Sequence, residues 1–310
     1  MGFHHVSVLL DESIEALHIR PDGIYLDGTL GGAGHSSEIA KRLTTGILIG
    51  VDRDPKALAA AAERLAPWRD RVQLVHSNFR ELDTILDELG IRGVDGILLD
   101  LGVSSPQLDE ASRGFSYMAD APLDMRMDPS DPLTAWELVN TWPQEELRRI
   151  LFTYGEERYA PLIAAAIVRR REQVPIDTTL ALVDVIRNAM PQKALREKQH
   201  PAKRSFQAIR IAVNDELGAV DSVMSRAIDR LNPGGRLAVI TFHSLEDRIV
   251  KNAMAEAARG CTCPPEFPVC VCGKKPRLKL VARKPITAGE AELEQNPRSR
   301  SAKLRVGERI

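Results

Sequence analysis

The sequence lacks any apolar run long enough to cross a membrane. A transmembrane helix needs about 20 consecutive apolar residues, and no run of even about 18 occurs among the 310 residues. The N-terminal segment also lacks the basic stretch followed by an apolar stretch that marks a secretory signal. With 44% hydrophobic and 27% charged residues, the composition is typical of a globular protein. We therefore expect a cytoplasmic protein with no membrane partner.

The chain also has almost no net charge, but its charges are unevenly distributed. The formal net charge is −1, yet residues 271–310 contain eleven Lys or Arg against four Asp or Glu. A second basic stretch covers residues 193–210. Such clusters in a near-neutral chain indicate a polyanionic partner, although an ordinary solvated surface can have the same composition. The candidate residues for binding such a partner in the second stretch are Lys193, Arg196, Lys198, Lys203, Arg204 and Arg210.

Cysteine is absent outside one short segment. Its four members form two Cys-x-Cys pairs, namely Cys261, Cys263, Cys270 and Cys272. Four thiolates can hold a tetrahedral zinc ion, although Cys-x-Cys is tighter than the usual zinc-ribbon spacing. Disulfides are uncommon in the cytoplasm. A structural zinc, reduced thiols in a loop and redox chemistry remain three alternatives, and no catalytic metal is expected.

The first hundred residues alternate between apolar segments and helical patterns. The apolar segments 24–26, 47–51, 71–76 and 94–99 predict four strands in a βαβαβαβ order. This order predicts a parallel sheet with right-handed crossovers. Polar residues follow each strand, and ligands bind at that edge of such sheets, where the strand order reverses. The sequence therefore predicts an α/β fold with a ligand site at the carboxyl ends of the strands.

A glycine-rich turn follows the first strand, at residues 27–36. Glycine allows a close backbone approach, and the next helix presents unpaired N–H groups to a ligand. A merely tight connection is the alternative. Asp52 ends the second strand 18 residues after Gly34, where an acidic residue can bind both hydroxyls of a ribose. Asp52 could instead cap the next helix, but Asp54 followed by Pro55 is better suited to that role.

The turn lacks the Gly-x-Gly-x-x-Gly pattern of nicotinamide dinucleotide proteins, and the chain lacks a second mononucleotide-binding half. Instead, Asp27 opens the turn, and a carboxylate there can bind the ammonium of S-adenosylmethionine. We therefore favour this cofactor and methyl transfer over a nicotinamide-dependent oxidoreductase.

The alternating pattern ends after Gln107. No strand-like run returns until residues 235–240, and the intervening segments are helical or rich in turns. We predict an inserted all-helical domain at residues 110–204 within a discontinuous domain of residues 1–109 and 205–310. Residues 205–231 are expected to form one long helix that returns to the sheet.

Four segments together resemble the ribosomal small-subunit rRNA (cytosine-N4)-methyltransferase family, of the RsmH or MraW type. They are residues 27–36, 100–109, 113–116 with 122–127, and 200–217. The similarity covers nearly the whole chain. Ser7 stands where the family often has Pro, and Lys203 replaces a common Thr; neither is expected to touch the cofactor motifs. The resemblance implies a class I S-adenosylmethionine-dependent methyltransferase fold, Rossmann-like with helices on both faces of a mostly parallel sheet, plus an inserted helical subdomain.

The resemblance also implies an activity and a set of site residues. The activity is methylation of the N4 amino group of a cytidine in the decoding region of small-subunit rRNA, either free or in the assembled subunit. A homodimer is left open. For Phe79 the alternative is an ordinary core aromatic, and for His35 a solvent-facing helix start. The cofactor-binding residues would be Asp27, Gly32, Ala33, Gly34, His35, Asp52, Phe79, Asp100 and Gln107.

The catalytic candidates follow the fourth strand. Ser104-Ser105-Pro106 resembles the loop of related amino-methyltransferases, but it lacks their second Pro and aromatic residue. Our hypothesis is that Ser105, the loop carbonyls and Asp100 orient the amino group. Asp124 and His243 are candidate proton acceptors or, alternatively, turn-stabilising residues. The rival function is a non-enzymatic RNA-binding or ribosome-assembly protein with a zinc module on a methyltransferase-like fold.

Overall fold

The computed structural model describes residues 7–261, 263–264, 266–269 and 271–310, with all of their side chains except those of residues 105 and 106. The chain divides into two compact units. We call the unit that ends at Gly102 and resumes over Leu217–Ile310 the sheet unit, and Val103–Glu216 the helical unit. The helical unit starts seven residues before, and ends twelve residues after, the predicted insertion of 110–204.

The sheet unit contains, within the described residues, one seven-stranded sheet in the order β3-β2-β1-β4-β5-β7-β6. The first five strands are parallel, and β7 runs antiparallel to both β5 and β6. The strands are β1 Ile24–Asp27, β2 Ile47–Asp52, β3 Val72–His76, β4 Val94–Asp100, β5 Leu231–Thr241, β6 Leu278–Leu280 and β7 Lys303–Arg309. The mostly parallel sheet that the sequence predicts is confirmed.

One helix precedes β1, and three more connect the first four strands. They are α1 Leu10–Leu17, α2 Gly34–Arg42, α3 Pro55–Leu65 and α4 Leu82–Glu88, with short 3-10 turns at Ala66–Arg71 and Phe79–Glu81. Successive residues of β1 enter different apolar clusters: Tyr25 packs in one and Leu26 in the other. Because side chains alternate along a strand, the two clusters lie on opposite faces of the sheet. Both faces are therefore covered, as a parallel sheet requires.

The helical unit has its own core. Its helices are α5 Ser105–Asp109, α6 Ala135–Thr141, α7 Gln144–Thr153, α8 Ala160–Arg171, α9 Thr179–Ala189, α10 Gln192–Leu195 and α11 Lys203–Asn214, with a 3-10 turn at Ala111–Arg113. Phe206, Ile209 and Val213 of α11 are buried in this core. These contacts place α11 in the helical unit and explain why the unit extends beyond residue 204.

The chain then returns to the sheet unit through α12 Glu216–Asp229, and α13 Ser244–Ala258 and α14 Glu290–Gln295 follow, with a last 3-10 turn at Pro297–Ser301. The prediction of one helix over 205–231 is wrong, because Asp215 adopts a left-handed backbone (φ 46°) that separates α11 from α12. No helix within the described ranges is long and apolar enough to span a membrane.

Candidate active site

Three parallel strands end in aspartates at the same edge of the sheet. They are Asp27 of β1, Asp52 of β2 and Asp100 of β4. Strand β1 lies between β2 and β4, so the sheet itself brings the three strand ends together. The crossover after β1 runs to β2 on one side while β4 continues on the other, which makes this edge the switch point of the sheet. The sequence predicted this position for the site.

Asp27 organises the glycine turn from inside. Its side chain is buried, and its two carboxylate oxygens accept hydrogen bonds from the Ser36 hydroxyl (2.6 Å) and the Thr29 N–H (3.1 Å). Burial raises the pKa of Asp27 to about 6, and the charge of Asp52 adds to the rise, while the two hydrogen bonds oppose it. The carboxyl group thus links β1 to the start of α2 by hydrogen bonds, and it contributes negative electrostatic potential next to the glycine turn.

Asp52 connects the turns that follow β1 and β2. One carboxylate oxygen accepts from the Gly31 N–H (2.9 Å) and the other from the Asp54 N–H (2.8 Å). Each carboxylate oxygen has a second lone-pair direction, so the side chain keeps capacity to accept from a ribose. Burial, together with the charge of Asp54, raises its pKa. Asp54 caps α3 by accepting from the Lys56 N–H, so the capping alternative for Asp52 does not hold.

Asp100 is the least compensated acid of the three. Its Oδ1 is buried without a hydrogen-bond partner in the part of the chain that the structure describes. Burial, and then the charges of Asp27 and Glu246, raise its pKa well above the usual range. Its backbone N–H donates to the Thr29 hydroxyl (2.6 Å), which ties β4 to the glycine turn. The side chain as a whole is half-buried. A poorly compensated acid in this state fits a cationic ligand.

His35 lies next to this acid rather than facing solvent. It is buried, and its Nε2 is 3.1 Å from the Val8 carbonyl oxygen. A carbonyl oxygen only accepts, so Nε2 carries the hydrogen. Its Nδ1 then faces Asp100 Oδ2 at 3.9 Å. The solvent-facing alternative for His35 is wrong.

The glycine turn achieves its path with two left-handed residues, Gly31 (φ 47°) and Ala33 (φ 55°). Ala33 is the N-cap of α2, and the Gly32 carbonyl accepts from the Arg64 guanidinium (2.9 Å). A Cβ added at Gly34 would overlap the Ser7 hydroxyl. Ser7 therefore packs against the glycine turn, contrary to our expectation that this departure from the family does not touch the predicted cofactor motifs.

Phe79 follows β3 along the chain and lies close to the glycine turn. It is half-buried at the first residue of a 3-10 turn and packs against the apolar cluster of β1 and β4. A Cβ at Gly28 would be 2.6 Å from the Leu99 side chain and 3.1 Å from Phe79 Cβ. Only a glycine at residue 28 lets the turn pass this close to Phe79 and Leu99.

The sequence did not single out Glu246, which is buried and helps to raise the pKa of Asp100. Its Oε2 accepts from the Phe242 and His243 N–H groups at the start of α13. In return, His243 Nδ1 accepts from the Glu246 N–H (3.5 Å). This is a capping box, and its spacing of three residues is the signal that could have identified Glu246. Nε2 of His243 is 3.0 Å from Glu246 Oε1, but it is not aligned for a hydrogen bond.

The remaining catalytic candidates belong to the helical unit. The Ser104 N–H donates to Gln107 Oε1 (3.1 Å), and the Gln107 N–H donates to the Ser104 hydroxyl (3.4 Å), so both side chains cap α5. The side chains of Ser105 and Pro106 lie outside the described residues. Asp124 binds Arg126 through two guanidinium hydrogen bonds of 2.8 Å. Burial pushes the pKa of Asp124 up, but these bonds outweigh it, and the pKa lies below its usual value. The hydrogen bonds between Asp124 and Arg126 therefore favour a turn-stabilising role for Asp124 over a role as proton acceptor.

The basic stretch of the helical unit is exposed, with one exception. Arg210 is largely buried and forms a bidentate ion pair with Glu216 (2.8 and 3.0 Å), so its charge is neutralised within the fold. The other five predicted RNA-binding residues are exposed around α10 and at the start of α11, namely Lys193, Arg196, Lys198, Lys203 and Arg204.

The basic C-terminal segment is folded into the sheet unit. Lys303 and Arg305 of β7 both bind Asp247 of α13, and Arg277 binds Asp229 of α12. Much of the excess charge that the sequence shows in residues 271–310 thus holds the edge of the sheet in place.

The whole chain matches known proteins. A family model described as the MraW methylase family matches residues 2–310. The chain is 60% identical over 312 residues to a protein of Heliobacterium mobile and 58% identical over 311 residues to one of Brevibacillus brevis, both named ribosomal RNA small subunit methyltransferase H. These matches cover 100% of this chain and 100% and 99% of the two relatives. A solved rRNA methylase of Streptococcus thermophilus is similar at a TM-score of 0.40, with 12% identity and coverage of 97% and 93%, a likeness too weak to carry weight.

Proposed function

This chain belongs to the MraW methylase family, and we propose that it methylates the N4 amino group of one cytidine in the decoding region of small-subunit ribosomal RNA. Its cofactor is S-adenosylmethionine. The coarse part of the proposal, methylation of small-subunit rRNA, is supported by relatives of that name at up to 60% identity over their full length. The finer part, the atom and the nucleotide, follows from the resemblance of the motifs.

The observation that carries the proposal is the group of buried and half-buried acids at the ends of β1, β2 and β4. S-adenosylmethionine supplies a methyl group on a positively charged sulfur, and its amino-acid end carries an ammonium. Asp27 and Asp100 have raised pKa values because burial and neighbouring acids disfavour their charged forms. A cation at this edge would relieve that repulsion. The unpartnered Oδ1 of Asp100 fits the same cofactor.

Each cofactor residue then has a physical task. Asp52 accepts from the ribose hydroxyls with lone pairs that its backbone donors leave available. Ala33 and Gly34 bring the backbone of the turn against the ligand, and Phe79 packs beside the adenine. Asp27 stabilises the glycine turn through its hydrogen bonds and contributes negative electrostatic potential next to the cofactor. The resemblance assigns Gln107 to the cofactor. Its amide would then contact the cofactor in addition to capping α5.

The acceptor base sets the catalytic requirement. The lone pair of a cytosine amino group is delocalised into the ring, so the nitrogen is a poor nucleophile. Acceptors directed at its hydrogens localise the lone pair as the nitrogen becomes tetrahedral. We assign this task to Asp100, with the hydroxyls of Ser104 and Ser105 and the backbone at Pro106. Asp124 and His243 are weaker candidates, because the first is bound by Arg126 and the second caps α13.

The target base has to leave its stack before an enzyme can act on it. The exposed residues Lys193, Arg196, Lys198, Lys203 and Arg204 would contact phosphates of the surrounding RNA. Such contacts position the substrate but do not read its sequence. The helical unit would then supply shape selectivity, because sequence-specific RNA recognition relies on splayed bases in a defined context.

The test is mass mapping of nucleosides in small-subunit rRNA from cells with and without the gene. We expect one cytidine of the decoding region to lose a methyl group on its exocyclic nitrogen when the gene is deleted. The wild-type gene should restore the methyl group, and Asp100→Asn should not. Methylation of another base, or an unchanged methyl pattern in the deletion strain, would refute the assignment. Incubating purified enzyme with naked rRNA and with assembled subunits from the deletion strain then identifies the true substrate.

A further inference from the structure

We propose that Cys261, Cys263 and Cys272 form a structural site for a thiophilic divalent cation, Zn²⁺ in the first place. The site lies in the segment that connects α13 to β6. It is independent of the methyl-transfer function, because it requires neither cofactor nor RNA. Of the three alternatives that the sequence left open, it selects metal binding.

The positions of the sulfur atoms carry the proposal. The three Sγ atoms all lie within 4.8 Å of one another, and those of Cys261 and Cys272 are 3.7 Å apart. A zinc–sulfur bond is about 2.3 Å long, so two sulfurs of a tetrahedral site are separated by about 3.8 Å. A disulfide would require about 2.05 Å. The spacing of Cys261 and Cys272 therefore corresponds to the edge of a metal tetrahedron.

Backbone N–H groups support the sulfurs from outside. The Cys263 N–H is 3.4 Å from Cys261 Sγ, and the Val271 N–H is 3.4 Å from Cys263 Sγ. Donors directed at sulfur stabilise the thiolate form, which is the form that binds a metal. The first of these contacts lies within one Cys-x-Cys pair, and the second joins the two pairs.

The surrounding segment has little else to hold its shape. Phe267, Val269 and Val271 are apolar residues of this segment, and all three are exposed, by 50% to 73%. Among the described residues between Ala258 and Leu278, none belongs to a helix or strand. A short segment without an apolar core needs a cross-link to be ordered, and a metal held by three or more thiolates supplies one. The sequence also offers Cys270 as a fourth ligand, but Cys270 lies outside the described residues.

The first test is the metal content of tag-free protein purified with a reductant and without a chelator. Emission spectroscopy should find about one zinc ion per chain. Cys261→Ser and Cys272→Ser should each reduce the zinc content at least about fivefold. The matched control is Val269→Ser, which places the same side chain in the same segment at an exposed position that is not a thiol; it should retain zinc. Binding of S-adenosylmethionine by each variant shows that the sheet unit is folded.

The second test uses the metal alone as a probe. Cobalt(II) added to zinc-free protein should produce a thiolate-to-cobalt charge-transfer band, which zinc then abolishes. Chelation should speed tryptic cleavage between Lys274 and Lys275 in the wild type, but not in Cys272→Ser. Protein that contains no zinc and gives no cobalt band would overturn the proposal. So would a disulfide between Cys261 and Cys272 detected by thiol counting, or an equal loss of zinc in Val269→Ser.

Discussion

At the scale of single residues, three buried or half-buried acids determine the electrostatics of the candidate site. Asp27, Asp52 and Asp100 end neighbouring strands, and each has a raised pKa because burial disfavours its charge. Buried acids with raised pKa values reduce the stability of the protein when no ligand is bound. The same acids offer a binding energy that a cationic cofactor can use. Stability and affinity should therefore respond to these residues in opposite directions.

The pKa of Asp27 predicts a pH dependence of stability. Because this pKa is raised to about 6, the folded carboxyl keeps its proton at pH values where the unfolded one has lost it. The contribution of the protonated Asp27 to the free energy of unfolding is complete below about pH 4. As the pH rises through about 6, this contribution of about 3 kcal/mol is lost. Calorimetric melts of the cofactor-free protein between about pH 4 and pH 7.5 should show this loss relative to Asp27→Asn. Parallel pH curves for the two proteins would contradict the prediction.

Asp100 ends β4 and Asp95 lies near its start, and the same substitution should affect the two residues differently. Asp100→Asn removes a buried like charge, so the cofactor-free protein should melt at an equal or higher temperature. Its affinity for S-adenosylmethionine should fall about tenfold or more, which corresponds to about 1.4 kcal/mol. Thermal melts and titration calorimetry measure both quantities.

Asp95→Asn is the matched control at the opposite edge of the sheet. Asp95 accepts from the Arg20 guanidinium (2.5 Å), the Ile24 N–H (2.8 Å) and the Asn232 amide (2.9 Å). Its loss should lower stability by about 1–3 kcal/mol and leave cofactor affinity within about twofold. If both variants lost affinity equally, the effect at Asp100 would reflect damage to β4 rather than the site.

At the scale of elements, the start of α2 depends on a close fit between two chain segments. A Cβ at Gly34 would overlap the Ser7 hydroxyl. Gly34→Ala should therefore displace either the turn or the segment before α1. We expect a loss of about 1–3 kcal/mol of stability together with weaker cofactor binding, measured by denaturant unfolding and calorimetry.

The control for Gly34 is Gly289→Ala at the N-cap of α14. Nothing lies within 4 Å of a Cβ added there, and its backbone has a negative φ of −73°. Because glycine is preferred over alanine at an N-cap, the Gly289→Ala protein should lose up to about 1 kcal/mol of stability, but it should bind S-adenosylmethionine as the wild type does. A similar loss of cofactor affinity in both variants would show that the contact with Ser7 is not the cause.

At the scale of the whole molecule, the distribution of charge decides where a polyanion can bind. Lys303 and Arg305 of β7 form ion pairs with Asp247, whereas five basic residues of the helical unit are exposed. We expect the double variant Arg196→Gln, Lys203→Gln to reduce the slope of log affinity against log salt by about 1.4–1.8, since each lost phosphate contact lowers it by about 0.7–0.9. Fluorescence anisotropy with an rRNA fragment at several salt concentrations measures the slope.

The double variant Lys41→Gln, Arg42→Gln removes the same net charge from α2, where both residues bind Glu38. Its salt slope should match that of the wild type within about 0.5, since it removes no phosphate contact. An equal reduction in both double variants would mean that net charge, rather than a defined surface, controls RNA binding.

Local sequence signals predicted the parts of the fold in which neighbouring residues act together. The alternating apolar segments predicted the four opening strands, and Asp54 with Pro55 predicted the start of α3. They failed where distant contacts intervene. The long helix predicted over 205–231 is divided at Asp215, and α11 joins the helical core through Phe206 and Ile209. A helical sequence pattern shows which face of a helix is apolar, but it does not show which hydrophobic core that face packs against.

By itself, the sequence determined the parallel sheet, the glycine turn after its first strand and the family, because each depends on residue order and short spacing. Only the tertiary structure decided how each side chain is used. In the folded protein, His35 is buried beside Asp100, and Glu246 lies close enough to raise the pKa of Asp100. Ser7 packs against Gly34, and Arg210 forms an ion pair with Glu216. The physical reason is that burial and electrostatic coupling depend on the distance in space between residues that are far apart along the chain.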